Sequence, residues 1–186
     1  MRRLLSPVAI MIDDLARIIR FEQRGCGRSE HVLPYDLETC LFDLENIRKH
    51  YGIKKWITGG HSWSANLALA YALEYPDNVP GLLYIAGNGI QNDREWSQVY
   101  HRNRAERGEM SPPEARSGND EVHRQGNGSW REYIKKPDLL KRISELEIPA
   151  LFIHGTADIS PGWPGEQIAS LMPNAVYETI DAEHYI

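Results

Sequence analysis

Cysteine is scarce in this chain. Cys26 and Cys40 are the only two among 186 residues, which excludes a disulfide framework and a cysteine-built zinc site. The seven histidines form no His-x-x-x-His pair on an expected helix, so no metal site and no cofactor is read from the chain. Basic charge is short as well. The formal net charge is -5, the wrong sign for a nucleic-acid surface. No apolar run approaches the roughly 20 residues that span a bilayer. The first residues, Met1 to Ile12, carry two arginines and an apolar stretch in the manner of a signal peptide. They lack a small-residue cleavage site, and Asp13 and Asp14 follow at once. The stretch reads as an internal helix and the protein as cytoplasmic.

What is present is an ordinary globular balance, 41% hydrophobic and 25% charged, and a length that suggests one domain. Residues 7–16 read as a short helix and 17–22 as a strand. From Asp36 to His50 the apolar residues Leu37, Cys40, Leu41, Leu44 and Ile47 recur at helical spacing with one buried stripe, and Gly52 ends the helix. A strand over 54–59 and a helix that stops near Tyr75, just before Pro76, come next. Further strands are expected at 81–86, 149–153 and 175–180, with a helix at 163–172. Residues 88–147 are more polar and are broken by Ser111-Pro-Pro113 and Gly126-Asn-Gly128. They read as helical pieces joined by loops, inserted between two strands. Strands that alternate with helices imply an α/β fold with a mostly parallel sheet and helices on both faces.

The most informative stretch runs from Trp56 to Asn66, W-I-T-G-G-H-S-W-S-A-N. An apolar strand ends in two glycines, Ser62 follows between His61 and Trp63, and a helix starts at once. A strand-turn-helix with serine at its apex exposes a hydroxyl at the end of a sheet, and small residues must flank it where the two backbones nearly touch. Gly60 supplies one side. Ser64 stands where glycine is usual. The alternative is a buried glycine turn with Ser62 as an ordinary helix cap.

A serine hydroxyl is a weak nucleophile until a base takes its proton, and the base is commonly a histidine oriented by a carboxylate. In parallel α/β sheets such groups gather past the carboxyl ends of the strands. His154-Gly-Thr-Ala-Asp158 follows one expected strand and Asp181-Ala-Glu-His184 follows the last. The order Ser62, Asp158, His184 is that of a hydrolase triad on this topology. Taken singly, Asp158 also fits a turn or cap before Pro161, and His184 a solvated residue near a frayed end. Asp181 and Glu183 are competing carboxylates beside the histidine.

The run Phe21-Glu-Gln-Arg-Gly-Cys-Gly-Arg-Ser29 resembles the Asp-Gln-Arg-Gly-Cys-Gly-Arg-Ser signature of the proline iminopeptidase-like group of α/β-hydrolases, with Glu22 replacing aspartate. Gly59-Gly-His-Ser-Trp-Ser64 is similar to that group's serine turn, and Asp158 and His184 match its acid and base positions. The resemblance runs from about Leu5 to the last residue. It implies an α/β-hydrolase core over 1–87 and 148–186 with a helical cap at 88–147. It implies Ser62 as acylating nucleophile, His184 as general base and then acid, Asp158 as the group that holds the imidazole tautomer, and the Trp63 N–H as an oxyanion donor. Cys26 would lie on a loop near the site. Cys26 and, in the cap, Trp96, Trp130 and Glu95 are candidate substrate-binding residues; the cap also carries Tyr100, His101, Glu106, Glu109 and Glu121, and most of its polar residues read as a solvated helix face. An aminopeptidase needs one or two carboxylates for the substrate's free amine, because a buried ammonium requires a charged partner. The expected substrate is a small peptide or an ester.

The same resemblance leads one to expect further strands before the first helix. The last of them would pair between 17–22 and 54–59 and end in a His-Gly-Gly-Pro-Gly-type loop that supplies the second oxyanion donor. It also leads one to expect a closing helix after His184. The chain thus reads as a copy truncated at both ends, with exposed strand edges prone to self-association. Loss of one oxyanion donor typically costs about 100- to 1000-fold in kcat. The remaining readings are a small-molecule esterase on the same scaffold and a non-catalytic remnant that acts by binding or assembly.

Overall fold

The computed structural model describes residues 10, 12–90, 94–108 and 119–185. Of the helix expected over 7–16, residues 7–9 and 11 fall outside them, as do Ser111-Pro-Pro113 and Glu109. In chain order the elements are α1 (Leu37–His50), β1 (Thr58–His61), α2 (Trp63–Glu74), a short 3-10 turn (Pro76–Asn78), β2 (Leu82–Ile85), α3 (Arg94–Arg107), α4 (Asp120–Tyr133), α5 (Leu139–Ser144), β3 (Ala150–Gly155), α6 (Trp163–Leu171) and β4 (Ala175–Ile180).

The four strands form one parallel sheet in the order β1-β2-β3-β4. Every strand therefore ends at the same edge, and the loops after β1, β2, β3 and β4 emerge side by side. Helix α2 packs on β1 and β2, and α6 on β3 and β4. The stretch Ala65–Leu73 of α2 is buried throughout, as its all-round apolar sequence requires. Helix α1 covers α2. The Asp36 carboxylate caps α1 by accepting the Thr39 N–H at 2.8 Å, and Arg48, Lys49 and His50 lie in the last turn, where cations suit the carbonyl end. Its buried stripe includes Glu45, which the Arg48 guanidinium and the Tyr71 hydroxyl hold at 2.6 and 2.7 Å. A buried carboxylate needs such partners.

Two expectations about local structure are corrected. Residues 17–22 form no strand. A strand exists only by its ladder, and among the described residues no strand lies beside this segment. Among the described residues β1 correspondingly pairs on one side only, with β2, and Ile57 just before it is 71% exposed. The second correction concerns Gly126-Asn127-Gly128, expected as a loop, which sits inside α4. A glycine in a helix costs about 1 kcal/mol relative to alanine. Here it permits close packing, since a Cβ on Gly126 would lie 2.9 Å from the Trp63 ring. Val122, Gly126, Trp130 and Tyr133 form the buried stripe of α4, and the helix packs against α1.

The segment with the Gln-Arg-Gly-Cys-Gly-Arg-Ser run is a joint between α1 and α4. Arg24 makes a two-pronged bond to Asp43 of α1 at 2.9 and 2.5 Å, and the Asn119 amide donates to the Gly25 carbonyl at 3.2 Å. Gly25 has a φ of 78°, and a side chain there would meet Tyr35 and Val122. Glu22, the departure from aspartate, accepts the Arg28 N–H at 3.0 Å and so closes the turn from within.

Candidate active site

Ser62 joins β1 to α2 with φ 58° and ψ -124°, a backbone region that non-glycine residues rarely enter. The surroundings hold it there. The Ser62 N–H donates to the Ile85 carbonyl at 2.8 Å. A side chain on Gly60 would overlap the Ser64 carbonyl, so glycine is required at that position. Ser64, which occupies the place where glycine is usual, braces the turn in both directions. Its hydroxyl donates to the His61 carbonyl at 2.7 Å and accepts the His61 N–H at 3.0 Å. The Ser62 side chain makes no capping bond to α2, unlike the capping reading of this serine. The Trp63 N–H is the first of the helix, and such N–H groups have no partner within their own helix.

Asp158 follows β3, and its side chain is fully buried. One carboxylate oxygen accepts the Ser160 N–H at 2.7 Å, and the other accepts from His184 Nδ1 at 2.8 Å. Burial pushes this carboxyl up, but the hydrogen bond and charge of His184, with the Ser160 N–H and His154, outweigh it and hold the group below the usual carboxylate range. An anionic Asp158 fixes the proton of His184 on Nδ1 and leaves Nε2 as an acceptor. The loops that carry the pair are laced together. The Thr156 N–H donates to the Ile180 carbonyl at 2.8 Å and the Ala157 N–H to the Ala182 carbonyl at 3.0 Å.

Ser62 and His184 line one cavity of about 520 Å³ at the carboxyl edge of the sheet, bounded on the far side by α3 and α4. Trp96 lines it too, stacked on Tyr100 with ring centres 5.2 Å apart. The other three residues read as substrate contacts are not among the described lining residues. Trp130 is buried in the core, where its indole N–H donates to the Gly89 carbonyl at 3.2 Å. Glu95 is exposed on α3. Cys26 is half-buried in the joint described above, and burial pushes its thiol up, away from the reactive thiolate.

His61 went unnoticed in the sequence. Its Nε2 donates to the His184 main-chain carbonyl at 2.6 Å, and its ring stands 4.7 Å from the His184 ring. Burial lowers its affinity for a second proton, which suits a neutral donor. The available signal was alternation along β1: with one residue between them, Gly59 and His61 share a face, but nothing in the sequence said that the tail would return to that face.

A hydroxyl on a strained turn, in one cavity with an imidazole held by a buried carboxylate, is the arrangement of a hydrolase. The chain belongs to the family described as alpha/beta hydrolase fold, whose pattern matches residues 6–105. Among curated relatives, the proline iminopeptidase of Neisseria gonorrhoeae is 42% identical over 76 residues, covering 38% of this chain and 24% of the relative. The proline iminopeptidase of Arabidopsis thaliana is 41% identical over 88 residues, covering 44% and 21%. The chain thus matches about a quarter of the length of these relatives. Among solved structures, a thermophilic esterase from Thermogutta terrifontis aligns with a TM-score of 0.72 at 22% identity, over 99% of this chain and 78% of that one. The enol-lactonase from Burkholderia xenovorans LB400 aligns with a TM-score of 0.70 at 20% identity, over 98% and 79%. These likenesses speak to the fold. Among the described residues no group of side chains is placed to hold a metal ion, and no helix is long and apolar enough to cross a membrane.

Proposed function

We propose that this protein is a serine hydrolase of the proline iminopeptidase type, which cleaves an N-terminal residue through an acyl-enzyme on Ser62. The observation that carries the reading is the 2.8 Å bond between His184 and the buried Asp158, in one cavity with the strained Ser62. His184 Nε2 takes the Ser62 proton as the oxygen attacks the scissile carbonyl. The Trp63 N–H, backed by the positive end of α2, faces the developing oxyanion. His184 then returns the proton to the departing amine, and a water activated in the same way releases the acyl group. The partial alignment with proline iminopeptidases supports the peptidase assignment.

A small-molecule esterase is the second reading. It is favoured by the cavity wall, where Glu183 is the only carboxylate among the described lining residues, whereas an aminopeptidase must bind an ammonium. A fluorophosphonate probe tests the shared chemistry. It labels the wild-type chain and leaves Ser62→Ala unlabelled; equal labelling of both sinks the proposal. Relative turnover of a prolyl anilide and an aryl acetate separates peptidase from esterase.

A further inference from the structure

One wall of the cavity is cationic, and the feature is built from two helices. Arg107 comes from the end of α3 and Arg131 from α4. On α4, His123, Asn127 and Arg131 recur every fourth residue, so they form one ridge on consecutive turns. All three line the cavity. The buried stripe of Val122, Gly126 and Trp130 fixes the rotation of α4 and so turns this ridge toward the cavity.

The two arginines differ in their surroundings from those that carboxylates hold. Arg24, Arg48, Arg124 and Arg142 each sit in an ion pair with a carboxylate. Arg131 makes no ion pair among the described residues, and the one hydrogen bond of Arg107 is a long one, 3.5 Å to the Ala157 carbonyl. Against these two permanent cations stands, among the described lining residues, a single carboxylate, Glu183. The Glu121 carboxylate of α4 is taken up by Arg124 and Gln125, and Glu95 and Glu106 of α3 do not line the cavity.

We infer that the cavity takes a substrate bearing a carboxylate, which the guanidinium groups of Arg131 and Arg107 hold while the Trp96–Tyr100 stack covers its apolar body. A guanidinium presents paired donors whose spacing matches the two oxygens of a carboxylate. The inference deepens the serine-hydrolase reading of the same site and rests on it for the hydrolysis step alone.

The test pairs two substrates of similar acyl length that differ by one charge, the 4-nitrophenyl monoester of succinate and 4-nitrophenyl butyrate. The purified chain is expected to favour the succinate ester about tenfold in kcat/KM, with the ratio falling toward one in Arg131→Gln with Arg107→Gln and in 1 M salt. Circular dichroism checks that the variant keeps its fold. A second measurement does not need turnover: succinate is titrated into Ser62→Ala with indole fluorescence as the readout, against succinamide as the neutral control. Tighter binding of succinate, lost in the arginine variant, upholds the inference even where no ester is cleaved, and then the hydrolase reading alone fails. Ser62-dependent cleavage with no preference for the charged ester, together with equal binding of succinate and succinamide, overturns the inference and leaves the hydrolase reading standing.

Discussion

Replacing Asp158 by asparagine keeps the shape of the side chain and removes its charge. The carbonyl oxygen of the new amide still accepts the Ser160 N–H, now held at 2.7 Å, so the loop after β3 keeps its turn. The amide nitrogen then faces His184 Nδ1 across the present 2.8 Å. Two donors cannot share that gap. The imidazole answers by moving its proton to Nε2, which then carries a hydrogen and cannot serve as a base. In a comparable triad this wrong-tautomer substitution costs about 10,000-fold, or about 5 kcal/mol of activation free energy. The expected result for Asp158→Asn is a loss of that order in kcat for an aryl ester, with KM changed little and fluorophosphonate labelling slowed in parallel. Thermal unfolding monitors the fold in the same samples. A loss of less than about tenfold in a folded variant refutes the reasoning, because Asp158 would then not set the state of His184.

Two further predictions follow from the hydrogen bonds. The Arg48 hydrogen bond, opposed by burial and helped by Tyr71, holds the Glu45 carboxyl at about 2 against an ordinary 4.5, and Asp158 is shifted in the same direction. Between those two values the unfolded chain binds more protons, so the contribution of Glu45 is fully present above pH about 4.5 and is lost as pH falls through about 2, up to about 3 kcal/mol. Urea midpoints measured from pH 6 to pH 2.5 should fall steadily below pH 4.5; a flat profile contradicts the assignment. Ser64→Ala removes both braces of the turn at Ser62 and leaves the His61 N–H without its acceptor. It should cost about 1–3 kcal/mol, seen as a melting temperature lower by about 2–12 °C, and an unchanged melting temperature would show that the brace does not matter.

The fold was legible wherever a segment carries its own pattern. The stripe of α1 and the apolar runs of β2, β3 and β4 name their elements because burial against neighbours is written in their periodicity. The segment 17–22 shows where this ends: Arg17-Ile-Ile-Arg-Phe21 has strand-forming residues, but a ladder needs two partners and the pattern of one says nothing of the other. Gly126 misled for a related reason. Its composition signals a loop, while its purpose is a contact with Trp63, 63 positions earlier in the chain. At the candidate site, the placement of Ser62, Asp158 and His184 follows from strand ends, which sequence locates well. Which residues of α3 and α4 face the cavity depends on how these helices are rotated against the sheet and its covering helices. Trp130 and Trp96 look alike as helical aromatics in the sequence, and only the packing of α4, with Val122 and Gly126 in its buried stripe, sends Trp130 inward, while Trp96 on α3 lines the cavity.

The left-handed backbone at Ser62 sets the interests of the scaffold against those of the chemistry. A φ of 58° is comfortable for glycine and crowded for any residue with a Cβ. Glycine at this position would relax the corner and delete the hydroxyl in one step. A population of such molecules sorted for heat resistance alone would therefore drift toward inert ones, and endurance would be gained by surrendering the reacting atom.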